Sequence, residues 1–128
     1  MNVKQMIVIR KDLKMRRGKE IAQGAHASMT WLSYRIQDAI EGNPVASYFN
    51  QEEEAWLFGP FTKICLRVDS EEELHEVHKK ALEAGLLSYM CVDSGKTEFD
   101  GVPTPTCVAI GPNEAEKIDE ITGDLKLY

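Results

Sequence analysis

Four polar side chains on one predicted helix are the residues of this chain best suited to chemistry. They recur at i, i+4, i+7 and i+11, at Lys19, Gln23, His26 and Thr30. Residues at these spacings share one face of a helix, so a cation, an amide and an imidazole face the same way. A lone histidine on a helix is usually a surface residue or a core residue with its hydrogen bonds satisfied. The lysine and glutamine beside it, and the basic loop before the helix, make a polar functional site an equally good interpretation.

A carboxylate that could complete this site follows the third predicted strand. Asp93 opens the sequence Asp-Ser-Gly-Lys-Thr directly after an apolar segment, and loops at strand ends gather ligands in α/β sheets. Thr104 and Thr106 flank Pro105 at the entry to the next predicted strand. The alternative for Asp93 is structural, because aspartate also caps turns at strand ends.

Charge is distributed unevenly along the 128 residues. The net charge is −6, yet the first 19 residues hold seven basic residues and one acidic residue, and the remainder holds eight and twenty. The loop before the helix contains Lys14, Arg16 and Arg17. A basic lobe on an acidic body favours docking of a polyanion such as a nucleic acid, although a solvated charged loop has the same composition.

The other reactive residue types do not form a recognisable metal or cofactor site. Cys65, Cys91 and Cys107 are an odd number without a C-x-x-C pair and lie in apolar segments, which predicts buried, reduced thiols. His75 and His78 are three residues apart among glutamates, whereas the histidines of H-E-x-x-H are four apart, so a solvated helix face is predicted. The glycine-rich nucleotide motifs and G-x-S-x-G do not occur. We therefore expect no metal and no cofactor.

The order of strands and helices predicts how the polar residues come together. Strands are predicted over residues 3–10, 62–68, 86–92 and 106–110, helices over 18–40, 71–85 and 113–121, a short helix or a lid within 45–61, and a polar loop over 93–105. This alternation predicts one α/β domain spanning residues 1–128, a mixed four-stranded β-sheet with helices on both faces.

The first helix also has an apolar stripe, which is expected to pack on the sheet. Its members recur at three- and four-residue steps, at Ala22, Ala25, Met29, Leu32, Ile36 and Ala39. The polar stripe is separate from it.

The chain shows no membrane or export signal. Its apolar runs are at most four residues long, against the roughly 20 needed to span a bilayer, and no secretory signal pattern opens it. With 43% hydrophobic and 28% charged residues, the composition suits a folded domain and excludes a disordered chain. We expect a soluble, cytoplasmic protein without a membrane partner.

A resemblance to a known family rests on motifs that occur in order along nearly the whole chain. They are VIRKDL at residues 8–13, GK at 18–19, AQGAHA at 22–27, KICLRVDSEEEL at 63–74, AGL at 84–86, DSGKT at 93–97, VAIGP at 108–112 and ITGDLKL at 121–127. In these motifs the chain resembles the type 2 peptidyl-tRNA hydrolases, which are common in archaea and eukaryotes. The aromatic and acidic segment at residues 43–61 lies outside the resemblance.

The resemblance implies a homodimeric α/β enzyme that hydrolyses the ester between a peptide and the 3′-terminal ribose of tRNA, without a metal or cofactor. The functional lysine, glutamine, histidine, aspartate and threonine of the family would fall on Lys19, Gln23, His26, Asp93 and Thr106. We predict that Lys19, His26, Asp93 and Thr106 are catalytic. The predicted substrate-binding residues are Gln23, Lys14, Arg16, Arg17 and Lys96.

Ester hydrolysis needs an activated water and a donor for the developing oxyanion. Our hypothesis is that Asp93 positions or deprotonates the water, alone or with His26, while Lys19 supplies positive charge. A second carboxylate, Glu98, would raise the pKa of Asp93 if both lay in one low-dielectric site. Two alternatives remain: a non-catalytic tRNA- or protein-binding member of the same fold, and a small-molecule hydrolase.

Overall fold

The computed structural model of the chain describes residues 1–42, 49–96 and 98–128. Its elements in chain order are β1 (Val3–Arg10), α1 (Arg17–Ile40), α2 (Gln51–Leu57), β2 (Lys63–Val68), α3 (Glu71–Glu83), β3 (Ser88–Asp93), β4 (Thr104–Glu114), α4 (Ala115–Thr122) and β5 (Lys126–Leu127), with a short 3-10 turn at Phe99–Gly101 before β4.

Within the described residues the strands form one mixed sheet in the order β3-β4-β1-β2-β5. β1 pairs in parallel with β2 and antiparallel with β4. At the two edges of the sheet, β3 pairs antiparallel with β4, and β5 pairs antiparallel with β2. The prediction of a four-stranded sheet is wrong by one strand. β5 is only two residues long and pairs through Leu66 with Leu127 and Arg67 with Lys126, which is too short to show an alternating pattern in sequence.

Alternation along β1 divides the core between the two faces of the sheet. Met6 and Val8 point to one face, where they pack with side chains of α3 and α4 such as Leu74 and Ile118. Ile7 and Ile9 point to the other face and belong to the cluster that contains Ala27 of α1. Helices therefore cover both faces, and the site residues of α1 lie on the second face.

The face by which α1 packs on the sheet differs from the predicted one. The buried residues of α1 are Gln23, Gly24, Ala27, Ser28 and Trp31. The predicted apolar stripe is exposed at Ala22, Ala25, Met29, Ile36 and Ala39 and half-buried at Leu32.

Polar residues replace the expected apolar ones because the sheet offers them hydrogen-bond partners. Ser28 Oγ donates to Gln5 Oε1, and Gln5 Nε2 donates to the Ser28 carbonyl at 3.0 Å. Gly24 packs directly over Ile7 and Ile9 of β1, whose side chains a Cβ at this position would meet at 3.8 Å, an ordinary van der Waals distance. A pattern based on hydrophobicity alone therefore selects the wrong face.

A short helix, α2, occupies part of the stretch predicted as a short helix or a lid. It is capped by Asn50, whose side chain accepts from the Glu53 N–H. The buried Glu53 carboxylate receives two hydrogen bonds from Arg35 of α1, at 2.7 and 2.9 Å. Trp31 and Trp56 meet edge to face between the two helices. Residues 43–48 of the predicted stretch lie outside the described residues.

The last strand is longer and the last helix starts later than predicted. Asn113 and Glu114 still pair with Lys4 and Val3 of β1, so the predicted helix start at Asn113 is wrong by two residues.

None of the helices in the described ranges is long and apolar enough to cross a membrane.

Candidate active site

The Asp93 carboxylate at the end of β3 is the centre of a hydrogen-bonded group formed with α1. Lys19 Nζ donates to Asp93 Oδ1 at 2.6 Å, and Gln23 Nε2 donates to the same oxygen at 3.3 Å. The Gly95 N–H donates to Asp93 Oδ2 at 2.9 Å. The side chains of Lys19 and Asp93 are 17% and 9% exposed, so this ion pair is shielded from water and yet reachable from outside.

The orientation of the Gln23 amide is set from the core side. Gln23 Oε1 accepts from Thr106 Oγ1 at 2.5 Å and from Cys91 Sγ at 3.0 Å. These two donors direct the amide nitrogen towards Asp93. Thr106 is completely buried beneath Gln23, so the structure places it behind the carboxylate group and away from solvent.

Electrostatics keep the carboxylate ionised. The hydrogen bond from Lys19 is the largest cause that holds the pKa of Asp93 below its ordinary value, and the Gly95 and Gln23 hydrogen bonds act in the same direction against burial. The expectation that Glu98 raises this pKa is wrong. Glu98 Oε1 lies 4.0 Å from Arg16 Nε, so its charge is directed towards the basic loop.

The basic loop between β1 and α1 borders this group. Lys14 and Arg16 of the loop and Arg17, the first residue of α1, are exposed, and Met15 in the loop is buried against the α1 face of the sheet. Arg10 holds the base of the loop, because it donates to Asp12 in the loop and to the Pro105 carbonyl at the entry to β4. Lys96, after Asp93, is also exposed.

Two residues of the predicted polar stripe lie outside the hydrogen-bonded group. His26 is exposed on α1. Thr30 Oγ1 donates to the His26 carbonyl at 2.8 Å, so its hydroxyl is used within the helix. The structure therefore brings together Lys19, Gln23, Asp93 and Thr106, and leaves the imidazole facing solvent.

The two buried thiols next to Gln23 are the part of the site that the sequence reasoning missed. Alternation places Cys91 on the same side of β3 as Asp93, so its position follows from strand periodicity. The position of Cys107 does not, because it contacts Gln23 together with its neighbour Thr106 only through the register shift that pairs Cys91 with Cys107 and Val92 with Pro105. Cys107 Sγ donates to the Gln23 carbonyl at 3.2 Å. Cys65 is exposed, so the prediction that all three thiols are buried is wrong there. It lies on β2, whose residue pattern leaves Lys63 and Cys65 outward.

The histidines of α3 are not part of this site. His75 Nε2 lies 3.4 Å from Glu71 on the helix surface, and His78 Nδ1 shares a hydrogen bond with Ser88 Oγ at 2.6 Å. Across the described ranges, no group of three or more His, Cys, Asp or Glu side chains is arranged to hold a metal ion.

Fold and site together define a small α/β protein in which a shielded lysine–carboxylate pair lies beside a cationic loop. The chain belongs to the peptidyl-tRNA hydrolase family PTH2, whose match covers residues 3–128. It is 43% identical over 124 residues to a peptidyl-tRNA hydrolase of Methanopyrus kandleri, covering 97% of each chain. It is 38% identical over 125 residues to one of Methanothermobacter thermautotrophicus, covering 98% of this chain and 99% of the relative. A peptidyl-tRNA hydrolase of Nanoarchaeum equitans is 43% identical over 128 residues.

Proposed function

We propose that this protein hydrolyses the ester bond between the peptide and the 3′-terminal ribose of peptidyl-tRNA, at the site formed by Lys19, Gln23 and Asp93. The observation that supports this most is the ion pair of Lys19 and Asp93, joined at 2.6 Å beside exposed cations. In this pair, the Asp93 carboxylate can activate the attacking water, and the Lys19 cation can stabilise the negative charge that develops on the ester oxygen. These are the two requirements of ester hydrolysis.

The carboxylate positions the attacking water and accepts its proton. Asp93 has two oxygens, and Gly95 and Gln23 hold them at fixed positions. While Lys19 is bonded to it, the carboxylate is a weak base because its pKa is lowered. A water hydrogen-bonded to it is held in place but not activated.

Substrate changes this balance through Lys19. The oxyanion of the ester, or the phosphate of the terminal nucleotide, is a competing partner for Nζ. When Lys19 turns to it, Asp93 loses its strongest hydrogen bond and becomes a stronger base. The same movement of Lys19 thus stabilises the transition state and leaves Asp93 free to act as the base. In the free enzyme, where Lys19 and Asp93 are paired, the carboxylate is inactive as a base.

The remaining residues have distinct roles. Gln23 orients the ester or the water through Nε2, and Thr106 acts as a positioning residue that fixes the Gln23 amide from below. His26 is exposed on the same helix and contacts the tRNA end or relays a proton to solvent. The cysteine in contact with this group, Cys91, is 4% exposed and lies on the core side of Gln23, so direct attack by water is the route.

The cationic loop binds the acceptor end of tRNA. Lys14, Arg16, Arg17 and Lys96 are exposed around the site, and each lysine or arginine that contacts a phosphate displaces a counterion. Binding of tRNA therefore weakens steeply as salt is added.

Replacing Arg16 and Arg17 by Gln should flatten the plot of log affinity against log salt by on the order of one unit, since each single-strand contact contributes about 0.7. Fluorescence anisotropy of labelled tRNA over a salt series measures the slope. The charge-matched control is Lys79→Gln with Lys80→Gln on α3, which packs on the opposite face of the sheet. An unchanged slope in the loop variant would place the tRNA elsewhere.

Incubation of the purified protein with peptidyl-tRNA tests the proposed reaction. We expect deacylated tRNA and free peptide to be released. Intact peptidyl-tRNA that remains bound would favour the non-catalytic alternative. Hydrolysis of simple N-acyl amino-acid esters that added tRNA fails to inhibit would favour the small-molecule hydrolase.

A homodimer is the second part of the proposal, and an open apolar groove beside α1 supports it. The groove has a volume of about 670 Å³ and is lined on the α1 side by Ile21, Ala25 and Met29. Ile21 and Met29 are 66% and 63% exposed in the single chain. Exposed apolar side chains in one contiguous patch are typical of protein interfaces, and the small residues of α1 allow close packing.

Met29→Asp should convert the dimer to a 14.4 kDa monomer, because it places a charge in the apolar lining of this groove. Sedimentation velocity at micromolar concentration measures the change. Leu82→Asp, at an apolar position on α3 that is 52% exposed, should leave the dimer intact. A wild-type protein that sediments as a single chain would contradict the homodimer.

The cytoplasm is the compartment we propose for this activity, because translation supplies peptidyl-tRNA there.

A further inference from the structure

Cys91 and Cys107 form a pair of thiols directly beneath the proposed site. They are opposite each other in the antiparallel ladder of β3 and β4. Both side chains are buried in one cluster on the α1 face of the sheet, 4% and 0% exposed.

The backbone geometry of this pair is compatible with a disulfide. Opposed residues of an antiparallel ladder have Cα atoms about 4.5–5.5 Å apart, and disulfides span Cα distances of about 4.4–6.8 Å. The register shifts between Cys91 and Val92, and a bulge at that point lets the strand adjust locally.

Both thiols also hold Gln23 in place. Cys91 Sγ donates to the side-chain oxygen of Gln23, and Cys107 Sγ donates to its main-chain carbonyl. A disulfide has no S–H group, so its formation removes both donors at once. The Gln23 amide would then keep only Thr106 as a partner on the core side.

We infer that Cys91 and Cys107 are a reversible oxidation site, which a peroxide converts to a disulfide that releases Gln23 and switches off the hydrolytic site. The loss of activity, but not the formation of the bond, rests on the function proposed above. Both thiols are free in the structure, and in this proposal the reduced protein is the active form.

The chemistry balances with hydrogen peroxide as the oxidant. The Cys91 thiolate attacks one oxygen, the O–O bond breaks, and the hydroxide that leaves takes up a proton to become water. The resulting Cys91 sulfenic acid is attacked by Cys107 sulfur; the S–O bond breaks, and the departing hydroxide takes the Cys107 proton as a second water. Two electrons pass from the thiols to the peroxide.

The thiol pair is suited to this first step. The hydrogen bond from Cys107 is the largest cause that lowers the pKa of Cys91 to about 6, and the same bond raises the pKa of Cys107. Cys91 is therefore the thiol of the pair that ionises first, and it donates to Gln23 only in its protonated form. Cys65 is different: partial desolvation raises its pKa, and it lies on β2.

Peroxide treatment of the full chain, followed by intact mass and peptide mapping, tests the inference. We expect a loss of two hydrogens, a peptide linked through Cys91 and Cys107, and a more than ten-fold loss of peptidyl-tRNA hydrolysis that dithiothreitol restores. Cys65→Ser should respond as the wild type does. Cys107→Ser keeps a donor to the Gln23 carbonyl and cannot form the bond. The same dose of peroxide should leave its activity close to that of the untreated Cys107→Ser protein. If Cys107→Ser does not fold, Cys91→Ser takes its place in the experiment.

Three results would overturn the inference. They are a bond that involves Cys65, oxygen addition to single cysteines without a bond, and a Cys91–Cys107 bond that leaves hydrolysis unchanged. If the reduced protein does not hydrolyse peptidyl-tRNA, the proposed function fails. Mass mapping and the NMR signal of the Gln23 side-chain amide, which should shift on oxidation, still decide whether the thiol pair controls Gln23.

Discussion

Asp93→Asn is expected to lower kcat for peptidyl-tRNA hydrolysis by on the order of 10²-fold or more, because an amide cannot accept the proton of the attacking water. Binding of tRNA stays the same or becomes slightly tighter, since one negative charge leaves a site that lies beside cations. Single-turnover hydrolysis measures the chemical step free of product release.

The fold is expected to survive this change. Asn retains an oxygen that can accept from the Gly95 N–H, and the partly exposed Lys19 can turn to solvent. The melting temperature should stay within a few degrees, which corresponds to about 1 kcal/mol for a domain of this size. Near-normal turnover with an unchanged melt would return Asp93 to the role of a turn cap and make His26 the first candidate for water activation.

Asp100→Asn is the matched control for this variant. Asp100 is exposed in the same loop and has a positive φ of 51°, a conformation that asparagine tolerates well. The control removes the same charge from the same loop and should leave kcat unchanged.

Lys19→Ala is expected to lower kcat by more than ten-fold, because both the positive charge proposed for the oxyanion and the partner of Asp93 are lost. The fold should be retained, since Lys19 lies in the first turn of α1 and packs in no core cluster. Lys117→Ala, an exposed lysine on α4, is the control for removal of a charge. Unchanged kcat/KM would remove Lys19 from the mechanism.

The same variant changes the pH dependence in a defined direction. Asp93 must be ionised to act, and the Lys19 hydrogen bond is the main reason why its pKa is low. Activity of the wild type therefore declines only below the ordinary titration range of an aspartate, near pH 3.9. Without Lys19 the pKa rises, so the acid limb of the kcat/KM profile moves to higher pH.

The polar half of the site follows from local periodicity. Lys19 and Gln23 are one helical turn apart, and Asp93 ends an apolar strand, so the sequence alone indicates one helix face and one strand end. The helix and most of the strands are also evident, because their apolar residues recur at the expected period. The polar face of α1 and the end of β3 are brought together by the packing of α1 on β3 and β4, which is a contact between residues far apart in the chain.

The errors in the sequence-based prediction come from long-range contacts. Gln23 and Ser28 are buried because Thr106, Cys91 and Gln5 bond to them, and no pattern within α1 shows this. The exposed apolar stripe of α1 is the consequence. The pairing of Cys91 with Cys107 depends in the same way on the register of β3 against β4.

Single-turnover hydrolysis of one peptidyl-tRNA by the wild type, the two single variants and the Lys19→Ala, Asp93→Asn double variant tests most directly whether the ion pair is the reaction centre. Groups that act as one unit are strongly non-additive. We expect the double variant to be about as slow as the slower of the two single variants, because either substitution already removes the chemical step. Reductions that multiply, or a wild type that releases no tRNA, would contradict the account.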